Sequence, residues 1–268
     1  MVVRPGQGGS EPVVSTIRLA YSDSAADWAS GPASVYGRLA DLLVRFSPFP
    51  FAGSTVLDLG SGTGLASRAA QVVGARVVAA DLAIGMLRVD RGRRPPAVAA
   101  DAGALPFRDR AFEIVLAAFS LNHLACPEAG VAEAARVGRV LLASTYAVDD
   151  DHLVKGAVET ALREIGWARP AWYDDVKRSM AKWGTIDAAS TLIRQGGMTP
   201  VRVEQMEVEF PGLGPEDMVA WRMGLAQSAP FLATLSPELR ARSVRRAAEL
   251  LGPRPEPLVR RVIFLAAA

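Results

Sequence analysis

The stretch Thr55-Val-Leu-Asp-Leu-Gly-Ser-Gly-Thr-Gly64 decides how the chain is read. Val56 to Leu59 is a mostly apolar, β-favouring run, as a buried parallel strand requires. It then breaks into Gly60, Gly62 and Gly64, residues that accept positive φ and put no Cβ between main chain and ligand. Leu65 to Val73 has a helical character. Strand, glycine turn and helix in succession are how an open α/β sheet holds a nucleotide-like ligand, with turn amides and the helix N-terminus aimed at an anionic group.

The glycine spacing separates the nucleotides. A dinucleotide fingerprint needs Gly-x-Gly-x-x-Gly/Ala. Counted from Gly60 the last position is Leu65, and counted from Gly62 it is Ser67, so neither register fits. What fits is Asp58-x-Gly60-x-Gly62-x-Gly64. In this the sequence resembles the class I S-adenosylmethionine (SAM)-dependent methyltransferases of the small-molecule, quinone-biosynthesis-like type. The resemblance implies that Asp58, Gly60, Ser61, Gly62 and Gly64 meet the methionine end of SAM.

Further motifs follow the same family at successive strand ends. Ala75 to Ala80 reads as the second strand and Asp81 closes it, 21 residues after Gly60. A carboxylate at about that distance suits a ribose diol, because it accepts two hydroxyl hydrogen bonds at once. Asp81-Leu82 and Met86 resemble the family's second motif, which implies that Met86 lies against adenine; plain core packing is the alternative. Ala97 to Ala100 is the third strand. The resemblance implies that Asp101-Ala102 holds the adenine edge. Leu105-Pro-Phe107 and Phe112 to Leu116 match the run before strand four, with Glu113 read as structural.

Strand four, Ile114 to Phe119, leads into Ser120-Leu-Asn-His-Leu124. The loop after it faces the methyl donor in a doubly wound sheet, and Phe119 is counted with the cofactor-binding residues. His123 is one of two histidines. With an ordinary pKa of about 6.5, it is the candidate general base; a satisfied, half-buried histidine is the alternative. The segment Tyr21-Ser-Asp-Ser-Ala-Ala-Asp-Trp28 resembles a family segment that folds over the SAM site, which implies a cofactor contact for Tyr21. Packing of Tyr21 and Trp28 against the domain would explain both residues equally. No Asn/Asp-Pro-Pro-Tyr/Phe follows strand four, which argues against a nucleic-acid base as acceptor.

Composition sets the remaining bounds. The 268 residues are 50% hydrophobic, enough for one α/β domain with a large core. Lys and Arg total 30 against 28 Asp and Glu, a net charge of +2 that leaves no nucleic-acid footprint. One cysteine, Cys126, excludes an intrachain disulfide. One Cys and two His disfavour a metal site. With no signal peptide and no apolar run of about 18 residues, the expectation is a cytoplasmic monomer or homodimer without membrane association.

The expected architecture is a doubly wound, Rossmann-like, seven-stranded sheet whose last strand is antiparallel, with a helical cap inserted after strand five. Residues 1–20 are expected as a flexible arm, 21–148 and 184–268 as the SAM-binding domain, and 149–183 as the cap. In the cap, Asp149 to Asp151 are expected to start a helix, and Trp167, Trp172, Tyr173 and Trp183 to offer aromatic walls to an acceptor, with a helical pair that uses those rings as ordinary core as the equal alternative. The functional expectation is methyl transfer from SAM to a small molecule. Its rivals are a non-methylating reaction such as a cyclisation, a non-catalytic SAM-binding protein, and a nicotinamide oxidoreductase.

Overall fold

The structure, a computed structural model, describes residues 11–268. Of the expected arm, residues 1–10 lie outside that range, and residues 11–20 are helical. Helices α1 (Glu11–Asp23), α2 (Ala25–Ser30) and α3 (Ala33–Phe46) precede the sheet. Strand β1 (Thr55–Leu59), α4 (Leu65–Val72), β2 (Arg76–Asp81), α5 (Ile84–Arg88) and β3 (Ala97–Ala99) build one half. Strand β4 (Ile114–Ala118), α6 (Pro127–Val137) and β5 (Val140–Tyr146) begin the other. Then come α7 (Leu153–Arg163), α8 (Ala171–Ala181), α9 (Ile186–Gln195), β6 (Pro200–Phe210), α10 (Pro215–Met223), α11 (Ala229–Ala233), α12 (Pro237–Leu251) and β7 (Leu258–Ala267).

The strands form one seven-stranded sheet in the order β3-β2-β1-β4-β5-β7-β6. The pairs from β3 through β5 are parallel, while β7 runs antiparallel to both β5 and β6. The chain winds outward from β1 to β3 and then crosses to β4 on the other side of β1. The β1/β4 junction is therefore the switch point, where such sheets bind ligands.

Both faces of the sheet are covered, and period-two alternation divides the core between them. Val56, Ile114, Leu116, Leu142 and Phe264 pack on one side with α3, α4, α7, α10 and α12. Leu57, Leu59, Val115, Leu141 and Leu265 pack on the other with α6 and α9. Helix α3 contributes Val35, Leu39 and Leu43, four apart and fully enclosed, which is why its spacing reads clearly in the sequence. Thr185 and Ser236 cap α9 and α12: their hydroxyls accept from Ala188 N and Leu239 N. No described helix is long and apolar enough to cross a membrane.

The segment after β5 differs from expectation in two ways. Asp149 to Asp151 do not cap α7, whose cap is His152, with Nδ1 accepting from Val154 N at 3.2 Å. Asp150 turns inward instead. It pairs with Arg260 of β7 and accepts from the Arg261 amide at 2.9 Å. The reason is electrostatic: the Arg260 guanidinium lies buried between the rings of Tyr146 and Trp221, 4.5 and 4.7 Å from their centroids, and needs a counter-charge. The four aromatics also separate. Trp167 joins the core under α7 and donates to the Gln227 carbonyl at 3.1 Å, and Trp183 joins the opposite core. Only Trp172 and Tyr173, on α8, pack beside Tyr21.

Asp150→Ala strands a buried cation and is expected to cost about 3–5 kcal/mol. Asp149→Ala, which breaks a half-exposed pair with Arg261, is expected to cost under about 1 kcal/mol. Urea denaturation of both variants checks this; equal losses would show that Arg260 does not depend on Asp150.

Candidate functional site

The site begins where β1 ends. Gly60, Gly62 and Gly64 have φ of +70°, +52° and +86°, a path that few other residues follow. The amides of Gly60 and Ser61 donate to the Ala80 carbonyl at 2.8 and 3.0 Å, tying the turn to the end of β2. Gly60 also touches the end of β4: a Cβ added there would stand 2.3 Å from Ser120 Cβ. The Ser120 hydroxyl donates to the Leu59 carbonyl at 2.6 Å and fastens the two strand ends together. Beside Gly62, by contrast, a Cβ would meet nothing within 4 Å. The turn is closed toward the sheet and open on its outer side, as a cradle for a ligand must be.

Two carboxylates flank the turn. Asp58 is buried at 1% exposure, and its Oδ2 accepts from Ser67 Oγ at 2.6 Å. Its Oδ1 is sealed and has no partner. Burial pushes the Asp58 carboxyl up to about 6, against the opposing pull of the Ser67 hydrogen bonds. Asp81, at the end of β2, accepts from the Gly62 amide through Oδ2 and from the Ala83 amide through Oδ1, both at 2.7 Å. Burial raises its pKa too, with those two amides opposing. A free lone pair on each Asp81 oxygen remains for a ligand.

Arg94 completes this side, and nothing in the sequence singles it out. It donates to the Gly62 and Met86 carbonyls at 3.3 and 3.0 Å and to Ser61 Oγ at 3.0 Å. Met86 is enclosed, with Ala25, Ala83, Tyr21 and Trp28 around it. Helix α1 lies hard against this region: a Cβ on Gly85 would stand 2.2 Å from the Ser22 carbonyl oxygen. Leu82 is half-buried beside Asp81. Asp101 is exposed and accepts from the Gly103 amide at 2.8 Å, while Ala102 packs on the second core. The Asp81 carbonyl accepts from the Ala100 amide at 3.1 Å, so Asp101-Ala102 lies one strand beyond Asp81.

The other side of the turn is aromatic. Phe119 leaves β4 with φ of +54°, a strained value for a non-glycine residue and one that collects at functional sites. Its ring lies 4.7 Å from Tyr146 and 5.3 Å from Tyr36, centroid to centroid. Tyr21 stacks edge-on to His123 at 5.4 Å and approaches Trp172 at 6.5 Å. Tyr173 is 5.9 Å from Trp172. All four tyrosines of the chain thus gather here, from α1, α3, β5 and α8.

The ionisation of these groups follows from burial. Tyr21 and Tyr146 are held well above the usual phenol value by burial, and Tyr36 is raised the same way. Tyr173 differs: burial raises it, but Arg222 and Lys177 outweigh that and lower it. His123 shares a hydrogen bond with the Tyr21 hydroxyl at 3.3 Å from Nε2, and its Nδ1 is sealed without a well-formed partner. Burial pushes its pKa down to about 4, the Phe119 backbone opposing. The imidazole is therefore neutral at physiological pH but a weak base.

The residues fit SAM on two counts, the orphaned Asp58 Oδ1 for a cationic group and the open space beside Gly62 for a chain in close approach. Known proteins agree. A family model described as a methyltransferase domain matches residues 57–140. Demethylmenaquinone methyltransferase of Clavibacter sepedonicus is 33% identical over 167 residues, covering 57% of this chain and 68% of that protein. The enzyme of the same name from Mycobacterium tuberculosis H37Rv is 31% identical over 161 residues, covering 56% and 68%. A solved structure from an antibiotic biosynthesis pathway of Anabaena variabilis shares the fold, with a TM-score of 0.55 at 19% identity over 85% of this chain and 96% of that one. The chain belongs to the class I SAM-dependent methyltransferases, with SAM as methyl donor and a small molecule as acceptor.

Proposed function

We propose that the acceptor is a flat, hydroxylated aromatic compound of the quinol kind. The observation that carries this reading is the convergence of Tyr21, Tyr36, Tyr146, Tyr173, Phe119 and Trp172 beside the glycine turn. Aromatic walls with a few hydroxyls suit a ring that must be stacked and oriented. The names of the two bacterial relatives, which refer to a quinone, support the same class. Such an acceptor would be handled as a free small molecule, in the cytoplasm, by a monomer or homodimer without nucleic acid.

SAM supplies a methyl group that its sulfonium already makes electrophilic. The chain's residues bind and align. Asp58 suits the ammonium of the methionine end, and the turn of Gly60, Ser61, Gly62 and Gly64 with Arg94 suits its carboxylate. Asp81 takes the ribose hydroxyls, and Leu82, Met86, Asp101 and Ala102 enclose the adenine. Tyr21 and Phe119 close the cofactor from the acceptor side. Residues 21–148 and 184–268 form the binding body, to which α7 adds core. Helices α1, α2 and α8 cover the site. Positioning supplies most of the rate.

His123 enters this scheme as a hydrogen-bonding group. A histidine whose conjugate acid has a pKa of about 4 accepts a proton poorly at neutral pH. It holds Tyr21 over the site and offers a neutral edge to the acceptor. His123→Gln, which preserves a hydrogen-bonding end, is expected to keep turnover within about fivefold, and His123→Ala to lose more than about tenfold, a gap of the size one hydrogen bond carries. Equal loss in both variants would restore the role of base.

Calorimetry tests the cofactor side. SAM and S-adenosylhomocysteine are expected to bind and NADH not to. Asp81→Ala is expected to weaken SAM by tenfold or more, since a buried charged hydrogen-bond partner contributes about 1.5–3 kcal/mol. Undiminished affinity in the folded variant would remove Asp81 from the ribose.

Asp58 adds a pH signature. Its carboxyl has a pKa of about 6 in the fold against 3.8 ordinarily. Its contribution to stability is therefore complete below 3.8 and lost as pH rises through 6. In the cofactor-free protein, the stability of Asp58→Asn relative to wild type is expected to rise by about 1.4 kcal/mol per pH unit across that window and to level off above it. His123 has the opposite sign, its neutral form favouring the fold above 6.5 and that advantage fading as pH falls toward 4, but it is common to both proteins and cancels. A flat difference between pH 4 and 6 would place Asp58 in contact with water.

A further inference from the structure

We propose that the groove between α10 and α12 is the seat of a second copy of this chain, joined about a two-fold axis that sets Arg245 of each copy against Glu216 of the other.

Two hollows of about 610 Å³ each open between these helices. One is lined by the start of α10 and the end of α12, from Ala248 to Pro253. The other is lined by Glu216 and Ala220 of α10 and by the earlier turns of α12, from Pro237 to Ala248. Glu216 and Ala248 line both, so the hollows form one groove, and the helices beside it run antiparallel. Ala220, Ala241, Val244 and Ala248 keep its lining small and apolar. Such a surface lets another helix approach closely, while it offers a small ligand neither enclosure nor convergent polar groups.

The charges along the groove select the partner. Five charged side chains line it, and three are engaged within the molecule. Arg240 pairs with Asp27 of α2, Asp217 accepts from the Gly214 amide at 2.9 Å, and Glu249 stands 3.6 Å from Arg246. The other two are Glu216 on α10 and Arg245 on α12, both exposed. Among the described residues neither has an ion pair or a side-chain hydrogen bond, with each other or with any third group. They are opposite in sign and stand on opposite walls. A partner of one sign would satisfy one and repel the other. A second copy turned by a two-fold axis satisfies both at once, because in an isologous interface each contact occurs twice, with the roles exchanged.

The seat lies behind the cofactor cover. A Cβ on Gly31, at the end of α2, would stand 2.3 Å from the Ala220 carbonyl oxygen, and Arg240 holds Asp27. Trp28 of the same helix packs around Met86. None of the residues lining the groove belongs to the glycine turn or to the aromatic cluster. At 1.5 Å per residue, α12 is about 22 Å long and α10 about 14 Å. A face of that size is at the low end of specific interfaces and supports a dissociation constant of about 1–100 μM.

Sedimentation velocity of the full chain tests this. The wild type is expected to pass from monomer to dimer within that concentration range. Glu216→Arg and Arg245→Glu each replace two attractions by two repulsions, and each alone is expected to weaken association by about tenfold or more. The double variant Glu216→Arg/Arg245→Glu inverts both pairs and is expected to dimerise as the wild type does. Circular dichroism verifies that each variant is folded. Should either single variant not fold, Ala241→Arg, which fills the groove, is expected to keep the chain monomeric. A wild type that stays monomeric up to about 500 μM, well above the range such a face supports, overturns the proposal and leaves the groove to a foreign partner. So does a dimer indifferent to the substitutions, or a double variant no better than the single ones.

Discussion

Two strand ends meet at Gly60 and Ser120, and the site depends on how closely they do so. A single extra carbon on Gly60 would sit 2.3 Å from Ser120 Cβ. Hydrogen in its place lets the Ser120 hydroxyl reach the Leu59 carbonyl, which closes the sheet at its switch point. The chain leaving β1 must then turn upward through residues with positive φ. That turn puts the Gly62 amide on Asp81 and leaves the outer side of Gly62 open. Cofactor binding is in this sense a by-product of joining β1 to β4 without a gap.

The glycine turn and the two carboxylates that flank it are readable from the sequence because they are local. Asp58 and the glycines lie in one heptapeptide, and Asp81 follows at the interval that one helix and one strand impose. Even there, Arg94 leaves no mark: it acts through two backbone carbonyls and one hydroxyl, and such partners form no pattern in residue types. The proposed acceptor side is not readable. Its tyrosines come from α1, α3, β5 and α8, and only the folded sheet brings them together. Between aromatic walls and ordinary core packing the sequence offers no choice for the same reason, and Trp167 and Trp183 take the core. Trp167 and Trp183 look equivalent to Trp172 in sequence, yet α7 packs inside the main core and takes Trp167 with it. An apolar helix does not announce whether its partner is a ligand or a sheet.

Asp149 to Asp151 make a related point about charge. Acids before a helix suit its dipole by well under about 1 kcal/mol at the surface. Pairing a buried arginine involves several times that. The stronger interaction prevails, and Asp150 serves Arg260 while His152 caps the helix. Three acids ahead of a helix express a sound local preference, which a long-range charge overrides.

The same comparison of magnitudes bears on the groups the fold leaves unsatisfied near its switch point. Asp58 with an orphaned oxygen, Phe119 at positive φ and His123 stripped of its basicity lie at or just beyond the ends of β1 and β4. Other parts of the fold use ordinary devices, such as the caps on α9 and α12 and the Asp150–Arg260 pair, although Arg260 Nε, Trp183 Nε1 and Trp221 Nε1 are sealed there without a partner. A stable sheet can carry a few unfavourable contacts provided that a ligand relieves them. The unpartnered oxygen of Asp58 names its complement, a cation. The ammonium of a sulfonium amino acid bound along the turn would meet that demand.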